Sequence, residues 1–200
     1  AAYAFPTFAG ANAACRRIVQ RGMPPAVLRV YDATEADRSY QTGDRAVLLV
    51  MDEGDAVVVD ASMTVVEQEC AAAEPLDEAL VGRWLSHRNE VSALEALIGK
   101  GYVVDTMEVT APWSQLEPIY RSTTEALRAV PGTLAASAHQ SHAYPDGACL
   151  YFTFAAKVDE DGEGSTAARD AAYRQRWDAG QRAVLAGGGT LSQHHGVGLN

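Results

Sequence analysis

Cysteine, long apolar runs and positive charge are all scarce in this sequence, and each shortage removes a class of protein. The three cysteines, Cys15, Cys70 and Cys149, are far apart and form no Cys-x-x-Cys pair. An odd, scattered set excludes a disulfide framework and points to reduced thiols in a cytoplasmic setting. No apolar stretch approaches the roughly 20 residues of a membrane-spanning helix, and no signal peptide is visible. Lys and Arg number 16 against 26 Asp and Glu, a formal net charge of −10. That balance argues against nucleic acid and anionic membrane surfaces as partners. It leaves room for a local basic pocket that takes an anionic small molecule. No G-x-S-x-G elbow is present, which disfavours an α/β-hydrolase. The run Gly187 to Gly189 lacks the lysine and following helix of a phosphate-binding loop. The chain also lacks an initiator Met and opens on residues that look like a strand entering a helix, so it is expected to begin inside a larger protein.

What is present is a globular core. Hydrophobic residues make up 48% and charged residues 21% of 200, enough for one domain or two small lobes. The organising stretch is Ala138 to Phe154, AHQSHAYPDGACLYFTF. It reads as two strands around the turn Tyr144-Pro-Asp-Gly147, with Pro presetting φ and Gly147 expected at positive φ. Alternation puts Leu150, Phe152 and Phe154 on a core face and Cys149, Tyr151 and Thr153 on the other. His139 and Ser141 share a face of the first strand, and His142 and Tyr144 stand near the turn.

Periodicity supplies the rest. A helix is expected over Ala11 to Gln20, stopped by Gly22. Ala26 to Tyr31 alternates as a strand, with Arg29 mid-strand between Val27 and Tyr31, either as an edge arginine reaching to solvent or as a fixed cation facing a ligand. Asp32 opens a short helix or turn to Tyr40, and Ala46 to Met51 is a buried strand. Asp55 to Ala73 reads as helix in spite of its valine run, because Val58, Ser62, Val65, Val66 and Glu69 keep a helical period. Helices follow over Leu76 to His87 and Val91 to Ile98. A strand runs from Val103 to Thr110 with neither face cleanly apolar, as a strand lining a site would be. Ser114-Gln-Leu-Glu117 reads as a capping box for a helix to Val130. After the hairpin come an acidic, glycine-rich loop from Asp159 to Ser165 and a long helix from Thr166 to Ala186. Gln193 to Gly198 has few apolar anchors and is expected to be loose. The order of elements predicts an α+β fold, an antiparallel sheet with helices packed on one face.

The groups able to move protons are Tyr151, His194 and His195, with Arg29 as the cation. His139, His142, His194 and His195 do not read as a metal site: residues three apart on a strand face opposite sides, and no carboxylate or thiolate stands at ligand spacing. Metal ligands are therefore expected to be none.

Several stretches come in the order of one family: MPPAVLRVYD (23–32), DTMEVTAPW (105–113), SHAYPDGACLYFTF (141–154) and GGTLSQHHGVG (188–198). Together they resemble the C-terminal domain of FAD-linked oxidases of the vanillyl-alcohol-oxidase type, on the alkylglycerone-phosphate synthase branch. The resemblance covers nearly the whole chain, residues 1–200. It implies a ferredoxin-like cap, or substrate, domain of a two-domain flavoenzyme, with FAD held mainly by a domain upstream in the same polypeptide. On that reading the isolated chain is inactive and binds FAD weakly or not at all. The family's catalytic tyrosine falls on Tyr151, its strand arginine near flavin and substrate on Arg29, and its histidine cluster on Gln193-His194-His195. His139, His142 and Tyr144 join Arg29 as expected substrate-binding residues. The branch has three consecutive histidines where this chain has Gln193 first, and an active-site arginine where this chain has about Glu95. The implied partners are a small-molecule substrate and the flavin domain; a homodimer stays open. Two alternatives also stay open: the cap of a D-2-hydroxy-acid dehydrogenase flavoprotein, whose G-H-x-G-D-G-N-x-H run is absent here, and a non-catalytic α+β binding domain.

Overall fold

The computed structural model describes residues 1–90, 92–158 and 165–196. Val91, the expected start of a helix, the acidic loop at 159–164 and the last four residues lie outside the described residues. The chain divides into two compact units, Ala1–Asn89 with His139–Cys149, and Glu90–Ala138 with Leu150–Asn200. The described elements are antiparallel strands and helices, the α+β architecture the sequence predicts.

In the first unit β1 (Ala2–Phe5) leads to α1 (Phe8–Gln20), which Thr7 caps by accepting the Gly10 N–H at 3.1 Å. Then come β2 (Val27–Tyr31), α2 (Ala33–Tyr40), β3 (Ala46–Met51) and α3 (Ala56–Glu69). Asp32 caps α2 and Asp55 caps α3. The Val57-Val58-Val59 run folds as helix behind the Asp55 cap, against its β propensity. β4 (Glu74–Leu76) and α4 (Ala79–His87) follow. The strands of this unit lie in the order β4-β1-β3-β2-β6, where β6 is Thr133–Ala143.

β3 is buried along Ala46–Val50, at 1% exposure or less, so neither of its faces meets water. On one face Val30 pairs with Gln140, whose side-chain oxygen accepts from the Cys15 thiol of α1 at 3.1 Å. On the other, Ala2, Tyr31, Val47 and Leu49 pack with Ala36 of α2 and with Val81 and Trp84 of α4. Helices thus cover both faces in this unit, where the sequence pattern suggested one. The β4 edge strand is also new. Glu74, Pro75 and Leu76 pair with Ala4, Tyr3 and Ala2, and α4 starts three residues later than expected. Pro75 cannot donate to a ladder, which suits an outermost strand.

The second unit holds α5 (Ser92–Gly99), β5 (Tyr102–Pro112), α6 (Trp113–Ala129), β7 (Gly147–Lys157) and α7 (Ser165–Ala186), with strand order β6-β7-β5. The expected core face of the hairpin holds: Leu150, Phe152 and Phe154 are at most 1% exposed. The turn differs in one respect. Gly147 is absent from the residues at positive φ; it is already a buried strand residue whose carbonyl accepts the Tyr144 N–H at 2.8 Å.

The capping box does not form. Pro112 is the N-cap of α6, with no side-chain cap bond, so Ser114 lies inside the first turn, where its hydroxyl cannot cap. The Glu117 Oε2 atom is buried without a partner, and burial raises that carboxyl above its ordinary pKa. The glycines after α7 have a steric reason. A Cβ on Gly187 would come 2.5 Å from Cγ1 of Ile119, and Gly188 sits at φ +78°. The chain then turns back so that Thr190 and Thr110 exchange backbone hydrogen bonds, at 2.8 and 3.2 Å.

Candidate functional site

In the second unit the chemistry gathers around Glu108 of β5. Strand alternation puts Glu108 on the face it shares with Thr110, and Thr110 bridges to Thr190 at the foot of the loop 190–196. The carboxylate is only 6% exposed. Its Oε2 accepts the backbone N–H groups of Gln193, His194 and His195 at 3.2, 2.9 and 3.1 Å, and its Oε1 lies 2.9 Å from Nδ1 of His194. Burial alone would raise the Glu108 pKa; the backbone and histidine hydrogen bonds outweigh it and hold the carboxyl below its ordinary value. An ionised carboxylate only accepts, so the His194 Nδ1 facing it carries a proton. Gly196 closes the loop by donating to Ser192 Oγ at 2.7 Å.

This corrects the expectation of a loose histidine segment over its described part, 193–196. The anchor is one buried charge on a strand about 85 residues away in sequence, which apolar patterning cannot reveal. Its result is contact between two of the expected catalytic residues. The Tyr151 hydroxyl lies 2.5 Å from Nε2 and 3.0 Å from Nδ1 of His195, with the rings edge to face at 5.2 Å. A phenol and an imidazole at that distance can share or pass a proton.

In the first unit Arg29 lines a cleft of about 410 Å³. Its guanidinium carbon sits 5.3 Å from the centroid of Trp84, and that of Arg88 sits 5.4 Å from the same centroid. His142 and Tyr144 of the hairpin line the cleft as well, and Ser141 Oγ lies 3.0 Å from Nδ1 of His142. Three of the four expected substrate-binding residues therefore share one cavity.

His139 does not join them. It stacks on Tyr31 at 5.2 Å and pairs through Nδ1 with Glu35 Oε1 at 2.9 Å. Burial would raise the Glu35 pKa, but His139 and Arg38 hold it below its ordinary value. Tyr31 and His139 are paired across β2 and β6, and the Glu35 carboxylate of α2 holds the imidazole there. Cys149 is fully buried.

Glu108, Trp84 and Arg88 were not foreseen as site residues. The signal for Glu108 was a carboxylate in the middle of a strand whose two faces were both mixed. For Arg88 it was only the polar break after α4.

A family model described as FAD linked oxidases, C-terminal domain, matches residues 1–200. The chain is 26% identical to the alkyldihydroxyacetonephosphate synthase of Dictyostelium discoideum, over 98% of this chain and 37% of that protein. Two solved structures of alkyldihydroxyacetonephosphate synthase, in P212121 and P1, match with TM-scores of 0.73 and 0.71 at 23% and 21% identity. These matches cover 97% and 94% of this chain but 40% and 39% of those chains. The likeness to the solved structures is one of fold, and the chain spans less than half the length of these relatives.

Proposed function

The chain belongs to the C-terminal domain family of the FAD linked oxidases, and on that premise we propose that it is the substrate-side cap domain of a larger FAD-dependent enzyme. The flavin is held mainly by a domain upstream in the same polypeptide, and the reaction is of the alkylglycerone-phosphate synthase type, on an acyl-dihydroxyacetone phosphate. The observation that carries this reading is the Tyr151–His195 contact on a loop fastened by Glu108.

A phenol–imidazole pair suits the neighbourhood of a flavin ring and its substrate, so Tyr151 and His195 are the residues the second unit would present there. Bound FAD supplies the two-electron chemistry. This chain's part is protonic and electrostatic: Tyr151 holds a proton at Oη, His195 takes it, and Arg29 orients the substrate as a fixed charge. Glu108 is a positioning residue, acting through the histidine loop. The departure at Gln193 is compatible with that fastening, because Gln193 contributes its backbone N–H to it.

The test uses the full-length polypeptide. Tyr151→Phe, His194→Ala and His195→Ala should each slow single-turnover flavin reduction by about 10²–10⁴-fold, the usual contribution of a positioned proton-transfer group, with FAD content unchanged. Wild-type rates in all three, measured with acyl-dihydroxyacetone phosphate and with a candidate alcohol, would remove them from the site. The 200-residue chain alone should bind little FAD; a yellow protein with stoichiometric flavin would overturn the division of labour between domains.

A further inference from the structure

Alternation puts Arg29 and Tyr31 on one face of β2, and a buried polar cluster lies beside the arginine there. The Arg29 guanidinium donates to the Tyr31 hydroxyl, which also shares a hydrogen bond with the Tyr40 hydroxyl of α2. Tyr31 is 5% exposed. Its ring meets Tyr40 edge to face at 5.5 Å and His139 of β6 at 5.2 Å. His139 pairs with Glu35 Oε1 at 2.9 Å, and Arg38 Nη2 lies 3.6 Å from the same oxygen. Glu35 is 7% exposed, and its Oε2 is buried with no hydrogen-bond partner. The guanidinium carbon of Arg83, from α4, lies 5.8 Å from the Tyr40 ring centroid. A buried carboxylate with one oxygen unbonded needs positive charge nearby to stay ionised. Burial opposes ionisation of Glu35, and His139, Arg38 and Arg29 together outweigh it.

We infer that Tyr31 and Glu35 are positioning residues for Arg29: the Tyr31 hydroxyl fixes where the guanidinium points, and the Glu35 carboxylate is the buried counter-charge that keeps it there. This rests on reading Arg29 as the residue that orients the substrate, and deepens that reading. An arginine left to itself samples many rotamers, whereas orienting a substrate requires one. Two contacts on opposite parts of the cluster remove that freedom. The Trp84 ring, 5.3 Å from the guanidinium carbon, holds the group by cation–π attraction, and the Tyr31 oxygen takes an N–H. A hydroxyl uses only part of the five-donor fork and cancels none of its charge, so the rest stays available to a ligand. Glu35 spends Oε1 on His139 and acts on Arg29 through space. His139 thus serves Arg29 at one remove. It touches Tyr31 and Glu35 and is not among the residues that line the cleft.

The experiment reads Arg29 and Glu35 directly, by NMR on the 200-residue chain. The guanidinium N–H signal of Arg29 is assigned by its loss in Arg29→Lys. Tyr31→Phe keeps the ring against Tyr40 and His139 and removes only the hydroxyl. Exchange of the Arg29 signal with water should then quicken by roughly tenfold, as for the loss of a hydrogen bond from a charged donor. Tyr3→Phe, a phenol of β1 outside the cluster, should leave that rate within about twofold. The Glu35 carboxyl is followed by a ¹³C titration. Arg29→Met should raise its pKa, because losing a nearby cation favours the neutral acid, and Arg29→Lys should restore it toward the wild-type value. A side chain that only filled space would show no such rescue by charge. Unchanged Arg29 exchange in Tyr31→Phe, or a Glu35 pKa equal in wild type and Arg29→Met, would each overturn the proposal. Neither flavin nor substrate enters these measurements, so their failure leaves the flavoenzyme reading standing. Loss of flavin chemistry in the full polypeptide, with both NMR results as expected, would sink that reading alone.

Discussion

The cleft of the first unit and the histidine loop of the second are held in different ways. Arg29 stands in the middle of a five-residue strand, and Trp84 sits inside a helix whose neighbour Val81 is buried in the same cluster. Their positions follow from regular secondary structure packed on a core. The loop 190–196 has no such frame. Among the described residues it is held by a bridge between Thr110 and Thr190, by a carboxylate that gathers three backbone N–H groups and an imidazole, and by the contact of His195 with Tyr151. A site on rigid elements tolerates the loss of one polar contact; a site suspended from one charge does not.

The largest expected effect tests the frame. Phe152→Ala should lower unfolding stability by about 3–5 kcal/mol, as for other fully buried phenylalanines, read by denaturant melts. Glu108→Ala should do something different: release the loop while most of the fold persists. Amide exchange protection at Gln193, His194 and His195 should drop by roughly 10–100-fold, from the loss of charged hydrogen bonds, with the Trp177 environment unmoved. If Glu108→Ala costs as much global stability as Phe152→Ala, the contrast between framed and suspended sites is wrong.

Acid gives a gentler version of the same break. The Glu108 pKa is lower in the folded chain than its ordinary value, so its contribution is fully present above the unfolded carboxylate range, about 4.3. It is lost as pH falls through the lower folded value. Protection factors of the loop amides should therefore hold from pH 7 to about pH 5 and fall below about pH 4. In Glu108→Gln they should be lower and flat over that range. An acid-insensitive loop in the wild type would mean that Glu108 is not its anchor. The smallest effect expected is that of Tyr151→Phe on stability, within about 0.5 kcal/mol, because Tyr151 is half-buried and its partner His195 is exposed. A larger loss than that from Phe152→Ala would reverse the two faces of β7.

Much of the frame could be read from residues alone. Alternation placed Leu150, Phe152 and Phe154 in the core and kept Arg29 on the face of Val27 and Tyr31. Helical period outweighed β propensity at Val57 to Val59. The misses have physical causes. Glu74–Leu76 is a three-residue edge strand, too short for any period to show and defined only by its pairing with β1. The capping box at Ser114 failed because Pro112, with its φ already restricted, started α6 first.

Local pattern therefore settled the strands, most helices, the core face of the hairpin and the residue types able to move protons, because each depends on neighbours within a turn or two of chain. The order of the four motifs likewise placed the chain in its family. Which of those residues meet was decided elsewhere. Glu108 reaches residues 85 to 87 positions away, Arg29 and Arg88 share a ring with Trp84, and His139 meets Glu35, 104 positions away. A buried carboxylate takes whichever donors the fold brings to it, and those contacts leave no period in the sequence.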